Sequence, residues 1–229
     1  MINERKDFVS NIPGNLARRS FFLLSLYFAF AALVYLVQHF WKAFLPPWFL
    51  EYAFQIFLFC ALGFLWIKGW AFKWKLTKTK SLQLIGLILV YIIGLKLLDI
   101  VLGQWGVWPL RRDLWHWQNQ LLLQLLLAPF LEELLFRDYL FRAFCLEMKS
   151  LPRAILFSSA FFMLAHMSLY PGAFLLGVFS CLLYYYFESI IPCIAFHFLS
   201  NLSLYFIPYT LPHLYHALRQ WGLYHLFYR

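Results

Sequence analysis

Asn119–Phe141 reads NQLLLQLLLAPFLEELLFRDYLF, an apolar run with two adjacent carboxylates, Glu132 and Glu133, just past its midpoint. About 20 apolar residues cross the hydrocarbon layer of a bilayer as a helix, so the run has the length of a transmembrane segment. A charged side chain at mid-membrane costs at least about 2.5–3.5 kcal/mol on insertion scales, and each one calls for a partner or a task. Glu133 and Arg137 are four residues apart with the acid first, the order that favours an ion pair on one helical face. Glu132 projects about 100° away and has no such neighbour. The spacing predicts a division of labour, with Glu133 neutralised and structural and Glu132 a carboxylate in an apolar setting suited to general-base work.

Outward from this segment the chain is apolar throughout. Of its 229 residues 63% are hydrophobic, 22% aromatic and 13% charged, against about 45–50% apolar and roughly 25% charged in a soluble domain. Further spans are expected near Ser20–Phe40, Trp48–Ile67 and Ser81–Leu102 before it, and Ala154–Met167, Pro171–Phe187 and Ile191–Ile207 after it. Pro208 and Pro212 then interrupt the chain, and Leu214–Arg229 reads as an eighth span or an interfacial helix. The predicted fold is all-α, a polytopic transmembrane bundle of about seven or eight spans around a buried polar cavity. Without linkers or internal repeats it divides into N-terminal helices and an interfacial loop (1–118), a core (119–207) and a tail (208–229).

The net charge of +9 sits between the apolar runs, which is the pattern of cytoplasmic loops rather than of nucleic-acid binding. Arg5, Lys6, Arg18 and Arg19 precede the first span, and Lys68, Lys73, Lys75, Lys78 and Lys80 separate the second from the third. Lys42 stands alone between the first and second, Arg142, Lys149 and Arg153 follow the fourth, and Arg111 and Arg112 are offset by Asp113. This balance predicts a cytoplasmic N-terminus. Trp105, Trp108, Trp115 and Trp117 read as an interfacial belt. Cys60, Cys145, Cys181 and Cys193 lie in apolar stretches without CxxC spacing and read as buried small hydrophobes. The start of the chain does not read as a cleaved signal peptide, whose apolar core is short.

Two later spans carry imidazoles. His166 lies near the end of the fifth and His197 in the seventh, with Asn201 one turn after it on the same face. Counted from the cytoplasmic ends, Glu132, His166 and His197 lie roughly 15, 20 and 10 Å deep at 1.5 Å per residue. Residues remote in sequence thus reach similar layers. A single polar group in a membrane helix is often just an interhelical hydrogen bond, but so many ionisable groups together are the mark of a functional site. Lys96 and Asp99, three apart, are expected to neutralise each other, while His213, His216 and His225 have no ligand-like spacing.

The set Glu132-Glu133…Arg137, Phe162…His166 and His197…Asn201 resembles the three-part signature EExxxR, FxxxH, HxxxN of the CAAX protease and bacteriocin-processing family of intramembrane endopeptidases. Ser158, Ser159 and Gly177 also look like the family, and the N-terminal half resembles it only as generic membrane helix. The resemblance implies a bundle of about eight helices and cleavage of peptide bonds in membrane-associated or lipidated substrates. It implies Glu132 as the base that activates water with help from His166, His197 and Asn201 as oxyanion stabilisers, and Glu133 and Arg137 as supports. The partners expected are the bilayer and a membrane-associated protein or peptide, with no nucleic acid, and the location a bacterial inner membrane. No cofactor is favoured. Zinc is the alternative, with Glu132, His166 and His197 as ligands, although no HExxH helix is present. A non-catalytic immunity or peptide-binding membrane protein is a further alternative. A transporter fits less well, since no paired halves are found.

Overall fold

The computed structural model describes residues 20–41, 47–104, 122–166 and 171–220, which are helical apart from the loop at 68–77 and short connections. Eight helices lie among the described residues: α1 (Ser20–Trp41), α2 (Pro47–Ile67), α3 (Lys78–Gln104), α4 (122–148), α5 (Leu151–Ala165), α6 (Pro171–Phe187), α7 (Ile191–Thr210) and α8 (Pro212–Gln220). Over its described residues each of the seven predicted spans therefore falls on a helix. One of them, Lys78–Leu102 within α3, is by itself long and apolar enough to cross a membrane, and 11% of it is buried. Its 25 residues extend about 37 Å at 1.5 Å per residue. The exposed flanks, Leu82, Ile85, Leu89, Val90 and Ile93 among them, are apolar, as a lipid-facing helix requires. Shorter apolar helices cover Tyr52–Ile67, Leu151–Ala165, Pro171–Phe187 and Ile191–Leu202.

The helix boundaries follow from local chemistry. Gly69, at φ 85°, closes α2: Gly69 N–H bonds to Trp66 O and Trp70 N–H to Leu65 O, the paired bonds of a Schellman turn. Lys149 and Glu188 end α4 and α6 with positive φ, and Pro152 and Pro192 sit in the first turns of α5 and α7, where no N–H is needed. Pro208 does not interrupt the chain as expected. The helix runs through it to Thr210, since near a helix end a proline forfeits a single backbone donor.

Helix α4 is the hub, in contact with α2, α5, α6 and α7. Two of its stretches, Leu122–Leu127 and Leu134–Phe141, are π-helical, a rare, wider winding that is frequent at functional sites. Every residue of Leu134–Phe141 is buried. Helices α5 and α6 form the most extensive pair, because Gly177 has no side chain: a Cβ there would lie 2.9 Å from Ser159 Cα.

A second ion pair on α4 ties the α2–α3 loop to this hub. Asp138 accepts from Trp70 Nε1 (2.8 Å), Lys73 N–H (3.3 Å) and the Tyr184 hydroxyl, and pairs with Arg142 at 3.3 Å. Arg142 also caps the Ala71 carbonyl and stacks over the Trp70 ring. Arg142 is thus no loop charge but a fully buried structural cation, and it leaves the count used for orientation. Lys149 and Arg153 stay in it.

Asp99 does more than neutralise Lys96, which lies 3.8 Å away. Its carboxylate accepts Leu214 N–H at 2.9 Å and faces His213 Nδ1 at 3.4 Å, capping α8 from α3. Cys145, Cys181 and Cys193 are buried thiols as expected, whereas Cys60 is exposed. The N-terminal basic residues, Lys42, Arg111, Arg112, Asp113, the four tryptophans of the belt and His225 lie outside the described residues.

Candidate active site

Three helices, α4, α5 and α7, bring the expected residues together. From α4, Glu133 reaches Arg137 at 3.1 Å through Oε2 and His197 Nδ1 on α7 at 2.9 Å through Oε1. Glu133 and Arg137 are fully buried and His197 nearly so. The Arg137 contact is an ion pair by distance rather than a directed hydrogen bond. Its guanidinium lies 4.0 Å from the centroid of the Phe162 ring, the face of which attracts a cation. The predicted Glu133–Arg137 pair is present, and Glu133 has a second duty that spacing did not reveal, the orientation of His197.

Glu132 turns the other way. Its Oε2 lies 3.9 Å from His166 Nε2, with the two side chains 18% and 36% exposed. His166 closes α5 at φ −77°, ψ 8°, in the sparsely populated bridge region where active-site residues often sit. Its Nδ1 lies 2.8 Å from the Phe162 carbonyl. A carbonyl only accepts, so Nδ1 carries a proton, and when the ring holds that proton alone Nε2 presents its lone pair to Glu132. The same logic applies to His197, where Nδ1–H donates to the Glu133 carboxylate and Nε2 is left for other chemistry.

Phe162 joins the two halves. Its ring meets His166 edge-on at 4.6 Å and His197 at 5.7 Å between centroids, and its carbonyl holds His166. Glu132 lies within electrostatic reach of His197, Glu133 and Arg137. Asn201 is half-buried one turn beyond His197. Ser158, expected only from the resemblance, donates to the Phe136 carbonyl in the π-helical stretch at 3.0 Å.

As a metal centre the arrangement is incomplete. Both imidazoles have Nδ1 committed as a donor, a common preparation for metal ligation through Nε2. Yet among the described residues no three His, Cys, Asp or Glu side chains come close enough together to hold one ion. As placed, Glu132, His166 and His197 do not form a three-ligand zinc site.

Sequence reasoning missed three things. The Asp138–Arg142 pair repeats the four-residue spacing of Glu133 and Arg137, a signal that was available. The Glu133–His197 contact bridges 64 positions and carried no local signal. Tyr27, on α1, donates to the Ala165 carbonyl at 3.3 Å, and one tyrosine in an apolar helix gives no hint of such a role.

The described residues form an all-helical structure in which paired acids are set against two oriented imidazoles. Residues 114–203, which carry all three motifs, match the family model described as type II CAAX prenyl endopeptidase Rce1-like. Over that segment the chain is similar to the type II CAAX prenyl endopeptidases. No curated protein and no solved structure gives a significant match.

Proposed function

We propose that this protein is an intramembrane endopeptidase in which Glu132 activates water and His166 assists. The observation that carries the reading is the facing of Glu132 Oε2 and His166 Nε2 at 3.9 Å. This is too long for a direct hydrogen bond. It is close to the roughly 4 Å spanned by a water donating one hydrogen to each of two acceptors. Both groups present lone pairs, so such a water keeps its own lone pair for attack on a peptide carbonyl.

As the water oxygen bonds to the carbonyl carbon, its proton passes to Glu132 and the carbonyl oxygen becomes an oxyanion. Stabilising that charge requires an Nε2–H on His197, hence the doubly protonated ring, for which Glu133 is the counter-ion. Asn201, one turn on, adds its side-chain amide. When the intermediate collapses, Glu132 returns the proton to the leaving amine, so the acid is regenerated as carboxylate. Glu133, Arg137 and the Phe162 ring keep the imidazoles in register, so the donors need no reorganisation.

The substrate is a membrane-associated or lipidated protein or peptide, and the mechanism needs no metal. The chain crosses the membrane several times with the N-terminus in the cytoplasm, its core within 119–207 and the membrane a bacterial inner one. The test is mass spectrometry of membrane and surface peptides from cells with the wild-type protein and with Glu132→Gln. The mutant keeps the shape and loses the base, so a wild-type-only set of cleaved ends is expected. Identical peptide sets, with biological function retained, would favour a non-catalytic binding role.

A further inference from the structure

Tyr27 belongs to the N-terminal half, which the three motifs leave out, yet its ring is among the best buried on α1, at 6% exposure. It meets Phe57 on α2 and Phe136 on α4 edge-on, with centroids 5.7 and 6.0 Å away, and Phe136 in turn meets Phe162 at 5.2 Å. Its hydroxyl donates to Ala165 O at 3.3 Å across 138 positions of sequence. Glu132 is within electrostatic reach of the phenol.

The bonded carbonyl is the significant one. The last four carbonyls of a helix have no partner within it, and in an apolar surrounding an unmet carbonyl is costly. At the end of α5 the Met163 carbonyl accepts His166 N–H and the Phe162 carbonyl accepts the His166 ring. The Ala165 carbonyl is met by α1. Ala165 O and His166 N share one planar peptide unit, so a bond to that oxygen fixes the plane from which His166 projects.

We infer that Tyr27 is a positioning residue of the hydrolytic site: from α1 it locks the Ala165–His166 peptide so that the His166 ring faces Glu132. The inference rests on the hydrolase reading for its kinetic consequence but not for its geometry. Tyr27 acts through His166 and makes no claim on the reacting atoms.

The experiment uses the full-length protein in lipid nanodiscs and compares wild type, Tyr27→Phe and Tyr91→Phe. The first variant removes the hydroxyl and keeps the ring. The second removes the same group from α3, which carries none of the site residues. One arm follows cleavage of an internally quenched, prenylated CAAX peptide. The other follows acylation of His166 by diethylpyrocarbonate, read by mass spectrometry. For Tyr27→Phe the expectation is a fall in kcat of about tenfold, the worth of one well-placed hydrogen bond, with KM unchanged. His166 acylation should change in rate, while the thermal midpoint stays with that of Tyr91→Phe. Wild-type kcat and wild-type acylation in Tyr27→Phe would overturn the inference, as would a loss of kcat that merely tracks lost folded protein. If the wild type leaves the peptide intact, the peptidase reading fails on that substrate and the acylation arm alone decides the role of Tyr27: an altered rate upholds it and an unaltered rate ends it.

Discussion

Glu133 binds two partners at once, Arg137 through one oxygen and His197 through the other. Glu133→Gln preserves its shape but removes the counter-ion that a doubly protonated His197 needs. In the proposed mechanism kcat should fall by about 10²–10³-fold, the cost of losing an oxyanion donor, with little change in KM. A steady-state assay that finds wild-type turnover would assign His197 a structural role only. Glu132→Ala, His166→Ala and His197→Ala should each abolish cleavage in the same assay. At this scale the sequence was partly legible. The four-residue spacing of Glu133 and Arg137 announced an ion pair, because helical geometry alone puts them side by side. The partner of each histidine Nδ1 was not legible, since it is a carbonyl in one case and a carboxylate in the other that only packing supplies.

Between elements, the closest approach is that of α5 and α6 at Gly177. In Gly177→Ala the new methyl would lie 2.9 Å from the Ser159 backbone, so something must move. Overpacking of this kind costs about 1–3 kcal/mol, and a lowered thermal midpoint is the expected reading. An unchanged midpoint would mean that α6 yields freely. Helix α4 offers a sharper case. Asp138→Ala leaves Arg142 fully buried without its carboxylate and strips Trp70, Lys73 N–H and Tyr184 of their acceptor. Breaking a buried pair costs about 3–5 kcal/mol. Proteolysis should then cut first in the α2–α3 loop that the pair holds down. Helix positions were readable from apolar length. The π-helical stretches were not, because their winding answers to neighbours on every side of α4.

For the molecule as a whole, the proposed mechanism runs without a metal. Dialysis against a chelator, followed by metal analysis and assay, should give a metal-free protein with full activity. Loss of activity that zinc restores would bring back Glu132, His166 and His197 as ligands. The basic residues that argue for a cytoplasmic N-terminus are also a whole-molecule property. Withdrawing the buried Arg142 does not reverse them, because Lys68, Lys75 and Lys78 are exposed in and beside one loop.

Sequence alone determined that the chain is helical and largely apolar, and it singled out the acids and imidazoles that the proposed chemistry uses. Apolar length and helical spacing are local, and a charge in an apolar run is conspicuous wherever the run folds. Tertiary structure decided which acid faces which imidazole. Glu132 goes to His166 and Glu133 to His197, with Tyr27 reaching Ala165 from a helix that no motif marks. Those contacts join residues 34 to 138 positions apart, and their geometry is set by how four helices pack, which no single helix encodes.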